Sequence, residues 1–249
     1  NTNQFTQYKH RFENKSSISY DDVRDIIEDK NSHLWIATWG GGLNYFDPKT
    51  EKFISYRESA TNNKTINNDN LIDMVADGEK IWIATFGGGL NLFDTTKGVF
   101  HYFKYKDSDP TTVSNNNIFS LCKDSKGYLW IGTAGGGINR MNLKTQQIER
   151  FEKNDNIKYQ TVTGIIEDDN STIWFSTKQG IINYSYATKT FNSLPKIASE
   201  FHINSIFKDE KGWVYFGGID GVVKLNPETI EVNSKPPKVK LTNFKLFNK

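Results

Sequence analysis

Two aromatic residues, Trp39 and Phe86, stand immediately before runs of three glycines, where a third copy of the same run carries Ala134. A ring at a glycine-rich turn has little core to pack in, which makes both candidates for ligand contact. Later in the chain the matching positions read Lys178-Gln179 and Ile219-Asp220. Polar groups lead into the neighbouring apolar stretches: Asp22, Arg24, Asn70, Asn117, Tyr159, Gln160 and His202. Rings that stack, beside amides, carboxylates and an arginine that form directed hydrogen bonds, suit non-covalent recognition of a molecule with apolar faces and polar edges. A sugar is such a molecule.

Residue types for covalent chemistry are present but not grouped. His10, His33, His101 and His202 form neither a His-x-x-x-His nor a His-Glu-x-x-His pattern, so no metal site is expected. Adjacent acids such as Asp21-Asp22 and Glu167-Asp168-Asp169 read as solvated loop charges, because nothing apolar around them would raise a pKa. Gly127-Tyr128-Leu129-Trp130 matches half of a sialidase-type box, but Asp124 stands one place too early and reads as turn chemistry. The glycine runs open no helix that could hold a phosphate. Cys122 is the single cysteine, read as a lone buried thiol, which leaves neither a disulfide framework nor a thiolate zinc site. No cofactor is expected.

The elements that must position the candidate residues repeat. Leu34-Trp35-Ile36-Ala37-Thr38, Ile81-Trp82-Ile83-Ala84-Thr85 and Leu129-Trp130-Ile131-Gly132-Thr133 are near copies, and weaker versions start at Ile173-Trp174 and Val214-Tyr215. The aromatic recurs after 47, 48, 44 and 41 residues, a period that points to propeller blades. Each repeat opens with an apolar strand, from Val23, Leu71, Ile118, Val162 and Ile203, and an aspartate follows at the first hairpin: Asp29, Asp77, Asp124, Asp168 and Asp209. The distance from strand start to aromatic is 12 residues in four repeats but 11 in the one that runs from Leu71 to Trp82. The second strand ends at the glycine run, the third resumes at sequences such as Leu43-Asn44-Tyr45-Phe46, and the fourth reads Phe53-Ile54-Ser55-Tyr56. The repeat tryptophans, at one blade position, read as core between blades.

The expected fold is therefore all-β, a segment of about five four-stranded propeller blades. Residues 1–17 are expected to be the outer strand of a preceding or closing blade, 18–233 the five blades, and 234–249 a linker, stiffened by Pro236-Pro237, with the first strand of a following domain. In such blades the turn after the second strand and the connection to the next blade emerge on one side. Trp39, Phe86, Lys178, Gln179 and Asp220 then share a face with Asp22, Arg24, Asn70, Asn117 and His202.

Composition narrows the class. Net charge is only +2 and the lysines are scattered, so no nucleic acid is expected. No apolar run reaches membrane-helix length and no signal peptide is present, while Asn1 in place of Met leads us to expect a processed chain or a piece of a longer one.

The recurring pattern Ile-x-x-Ile-x-x-Asp, Leu-Trp-Ile-Gly-Thr, Gly-Gly-Gly-Leu-Asn, Phe-Asp-Pro-x-Thr resembles the two-component regulator propeller repeat over nearly the whole chain. Pro236-Pro237-Lys238-Val239 and the residues after it look like the start of a triple-tyrosine domain. The resemblance weakens in the last two repeats, where Lys178-Gln179-Gly180 and Ile219-Asp220-Gly221 replace the triple glycine. It implies the later part of a seven-bladed propeller in the periplasmic sensor region of a Bacteroides-type hybrid two-component receptor. An oligosaccharide ligand, a homodimeric parent and a histidine kinase beyond the membrane are implied with it. A scaffold propeller for protein contact and a polysaccharide lyase or hydrolase are the alternatives.

Overall fold

The computed structural model describes residues 5–59, 65–151, 160–194 and 200–230. The linker with Pro236-Pro237, residues 234–249 and Tyr159 lie outside them. Four sheets are four-stranded antiparallel meanders. They run β1 (Val23–Glu28), β2 (Leu34–Thr38), β3 (Gly42–Asp47), β4 (Lys52–Tyr56); β5 (Leu71–Asp77), β6 (Lys80–Thr85), β7 (Leu90–Asp94), β8 (Val99–Phe103); β9 (Ile118–Lys123), β10 (Tyr128–Thr133), β11 (Ile138–Asn142), β12 (Ile148–Arg150); and β13 (Val162–Glu167), β14 (Ile173–Thr177), β15 (Gly180–Ser185), β16 (Thr190–Ser193). The fifth has three described strands, β17 (Phe201–Lys208), β18 (Val214–Gly218) and β19 (Gly221–Leu225). One short 3-10 turn, Pro227–Thr229, is the only helical element among the described residues. The five sheets are the blades of a β-propeller.

Blades meet through their inner strands: β1 lies beside β5, β5 beside β9, β9 beside β13 and β13 beside β17. Apolar side chains fill each junction. One cluster joins Trp35, Ala37 and Leu43 of the first blade to Leu71, Ile83 and Phe93 of the second. Another joins Trp130 and Ile138 of the third to Phe175 and Tyr184 of the fourth. Trp82, Trp130 and Trp174 are at most 1% exposed, so the repeat tryptophans are core, as their shared position predicts.

The aspartates do more than the sequence reading assigned them. Asp124 and Asp168 are buried, accept from backbone amides of their own turns, and also accept from the indole N–H of Trp130 and Trp174. Asp29 does the same for Trp35, and Asp209 accepts from the Tyr215 hydroxyl. Asp168 is therefore no solvated loop charge, because the indole and turn amides replace the water it gives up. In the second blade the turn is one residue shorter, Asp77 pairs with Lys123 instead, and Trp82 Nε1 is buried without a partner.

The glycine runs serve two needs. Gly40 and Gly42 take positive φ, 94° and 75°, which only glycine adopts freely. The middle glycine is required by close approach: a Cβ on Gly41 would fall 2.6 Å from Tyr20 Cβ. That lead-in is held by the asparagine of the same repeat, since Asn44 Oδ1 accepts from Ser19 N and its Nδ2 donates to Ser19 Oγ. Asn139 treats Ser114 identically.

Residues 5–10 pair with no strand among the described residues. Tyr8 nonetheless packs on Phe46 and Phe53 with ring centroids 5.0 and 5.5 Å apart.

Candidate functional site

Backbone hydrogen bonds put the turn residues and the lead-ins on one face, as the topology predicts. Trp39 N donates to Asp22 O, Phe86 N to Asn70 O, Ala134 N to Asn117 O, Lys178 N to Thr161 O and Ile219 N to Glu200 O. Successive blades are bridged there too, Trp39 pairing with Asn70 and Phe86 with Asn117. Gly40 N and Gly42 N both donate to Asp69 O of the second blade, and Gly87 N and Gly89 N to Asn116 O of the third. The first and third glycine amides of these two turns are thus spent on the blade junction.

Across three blades side chains on this face form a row. The Arg24 guanidinium lies 5.1 Å from the Trp39 ring, Trp39 is 5.4 Å from Phe86, and Phe86 is 6.2 Å from Phe119 with planes 10° apart. Asp22 Oδ2 accepts from Arg24 Nη2 at 2.8 Å, which fixes the cation over the indole. Both partners of that pair are about 42% exposed, so it orients the guanidinium more than it stabilises the fold.

Phe119 was not singled out from the sequence. It follows Ile118 as Arg24 follows Val23, and at both places the ladder skips a residue: Val23 pairs with Thr38 and Asp25 with Ala37, while Ile118 pairs with Thr133 and Ser120 with Gly132. A bulge at the head of the inner strand re-aims the extra side chain. Simple alternation gives no sign of it, although the shared offset in every repeat could have.

Trp39 corrects one expectation. It is half-buried and packs against the core of the second and third blades rather than standing free at its turn. Phe86 is the exposed ring, at 38%. The remaining candidates lie on the fourth and fifth blades. Gln179 Oε1 accepts from Gln160 Nε2, Lys178 follows the second strand, and His202 and Asp220 sit at the rim of the fifth blade. The structure therefore gathers Arg24, Asp22, Trp39, Phe86, Asn70 and Asn117 with Phe119, and sets Lys178, Gln179, His202 and Asp220 further round the same face.

Beneath the row two carboxyls meet. Asp25 Oδ2 accepts from Met74 N at 2.9 Å and Asp73 Oδ2 from Leu121 N at 2.6 Å, pinning each inner strand to the next. Burial, then the charge of Asp25 beside it, pushes the Asp73 carboxyl up to about 8. Burial also raises Asp25. Among the described residues no group of three or more His, Cys, Asp or Glu is placed to hold a metal, and no helix is long and apolar enough to cross a membrane.

Residues 17–40 and 112–135 match the family model described as two component regulator propeller. Over 108 residues the chain is 33% identical to histidine kinase P4 of Formosa agariphila, a match covering 40% of this chain and 8% of that protein. Its fold is similar to the extracellular domain of a hybrid two component system of B. thetaiotaomicron, with a TM-score of 0.74 and 20% identity over 89% of this chain and 29% of that one. It is also similar to virginiamycin B lyase from Staphylococcus aureus, with a TM-score of 0.61 and 13% identity over 82% of this chain and 70% of that one.

Proposed function

We propose that this chain, built from two-component regulator propeller repeats, is a non-enzymatic extracytoplasmic sensing segment of a hybrid two-component receptor, and that it binds an oligosaccharide on the face of its glycine turns. The row Arg24–Trp39–Phe86–Phe119 carries the reading. Sugar rings present apolar C–H faces to aromatic rings, and the amides of Asn70 and Asn117 beside the row suit hydroxyl edges. Likeness to the extracellular domain of a hybrid system and to a histidine kinase supports the receptor context and a periplasmic location. In that context a ligand on the propeller biases a signal passed through the parent dimer to the kinase.

The test is a panel of plant and host glycan fragments scored by melting temperature. A fragment at 100 times its Kd adds about 2.7 kcal/mol to stability, and Phe86→Ala should remove that gain while leaving the unliganded melt nearly unchanged. A fragment that stabilises the parent and Phe86→Ala equally places the site elsewhere, and turnover of any fragment argues for the lyase reading instead.

A further inference from the structure

The inner strand of the fifth blade bulges further from its sheet than the other four. Phe201 pairs with Gly218 and the next pair is Ile206 with Phe216, so five steps along β17 span two along β18. In β1, β5, β9 and β13 two steps span one, as from Val162 to Gly164 opposite Thr177 and Ser176. The single extra residue of the fourth blade, Thr163, turns into its own sheet, with its hydroxyl 3.0 Å from that of Ser176. The longer bulge leaves its sheet altogether. Asn204 Nδ2 donates at 3.4 Å to Ile72 O of the second blade, three blades back, and β17 also lies against β9 of the third. The carboxyl bonds that pin the earlier inner strands, Asp25 to Met74 N and Asp73 to Leu121 N, run only to the next blade.

The sequence accommodates this crossing at three places. Asn204 takes a φ of 54°, a conformation that asparagine tolerates better than most residues. Gly218 stands where the earlier second strands end in Thr38, Thr85, Thr133 and Thr177. A Cβ on Gly218 would fall 2.2 Å from Glu200 O, so a threonine there would displace the backbone at the foot of the bulge. The ends are anchored, since Phe201 is buried in a cluster with Trp174 and Phe216 against which Ile206 also packs. Between them His202, Ile203 and Ser205 are exposed. The middle of the bulge can therefore rearrange without opening the core.

We propose that His202-Ile203-Asn204 is a latch across the propeller axis: with Asn204 bonded to Ile72 O the fifth blade is drawn toward the second, and when that bond opens the fifth blade swings away about its junction with the fourth. One long hydrogen bond from a half-exposed amide is a small hold compared with the apolar clusters at the blade junctions, so it is the contact that gives first. Ile72, Arg24 and Phe119 each follow the first residue of their inner strands, so the latch fastens at the level of the aromatic row. Occupancy of that row then biases the latch and with it the angle of the fifth blade. This consequence rests on the ligand reading; the latch itself does not.

Spin-label distances in the 249-residue chain test the latch without any ligand. The single native cysteine is removed by Cys122→Ser, and labels are placed at His101→Cys in the second blade and Lys211→Cys in the fifth, both exposed. Asn204→Gly keeps the positive φ but has no amide, and Asn204→Asp keeps the shape but has no N–H to donate. Both are expected to shift the second-to-fifth distance distribution to longer values and at least double its width. A control pair at His101→Cys and Lys144→Cys, across the junction of the second and third blades, should keep its distribution in both variants. An unchanged second-to-fifth distribution overturns the proposal. A shift in Asn204→Gly alone reports a looser backbone, and a shift in the control pair reports a looser propeller; either overturns it too.

Discussion

The indole N–H of Trp130 donates to Asp124 Oδ2 at 2.7 Å, and both residues are buried. One carboxylate thereby serves the first hairpin of its blade and the largest side chain of the blade junction at once. Trp82 occupies the matching position with its N–H unpartnered, because the hairpin before it lacks one residue.

The two tryptophans should therefore respond differently to loss of that N–H. Trp130→Phe leaves a buried carboxylate short of a donor and is expected to cost about 1–3 kcal/mol beyond the cavity it opens. Trp82→Phe opens a similar cavity but removes an unsatisfied donor, so its cost should be smaller. Urea unfolding of both variants checks this; equal costs would mean that the indole bond contributes nothing.

The Asp25–Asp73 pair makes stability depend on pH in a definite direction. Asp73 titrates at about 8 in the fold against an ordinary 3.8, so the folded state holds a proton that the unfolded chain releases. That contribution is fully present below the ordinary carboxylate range and is lost as pH rises through about 8. Asp73→Asn, which keeps an acceptor for Leu121 N, should melt higher than the parent at pH 9 and no higher at pH 4. Melting curves across that interval decide it, and parallel curves for parent and variant would refute the shared proton.

Steric closeness and backbone sign can be separated at two glycines. Gly41→Ala drives a methyl into Ser19 and Tyr20 and should cost about 1–3 kcal/mol. Gly98 has open space around it and a φ of 63°, so Gly98→Ala should cost only about 1 kcal/mol of backbone strain. Thermal melts that rank them the other way would show that the lead-in yields to the methyl.

On the candidate face, Trp39→Ala and Phe119→Ala are expected to weaken binding of a glycan found by the melting screen, each by at least about 1 kcal/mol, roughly fivefold. Trp39→Ala should also lower the unliganded melting temperature, because its ring packs on the core of the next blades. Calorimetry on the two variants measures the first effect, and normal affinity in both would remove the row from the site.

Periodicity exposed the fold because a blade cannot hide its repeat: the aromatic, the aspartate and the glycine run each answer a constraint that returns at every junction. The first hairpin of the second blade was legible as a spacing of 11, but its consequence for Trp82 was not, since that depends on where a carboxylate ends in space. Sequence places Trp39 beside glycines as a free turn ring, while the structure packs it beside Phe86 and onto the neighbouring core. Phe119 escaped because a bulge breaks the alternation on which strand reading depends.

The backbone links at the glycine turns bear on how such a chain can change over time. Gly40 and Gly42 reach Asp69 O of the next blade, and Gly87 and Gly89 reach Asn116 O, so these two seams are written in the same main-chain atoms, and Gly137 repeats one of the links to Gln160 O at the third. A whole repeat could be duplicated or deleted and leave behind a seam that the flanking blades already know how to make. Blade number is then free to vary in evolution, and the exposed turn ring Phe86 is freer to diversify toward new ligands than Trp39, whose ring packs on the core of the next blades.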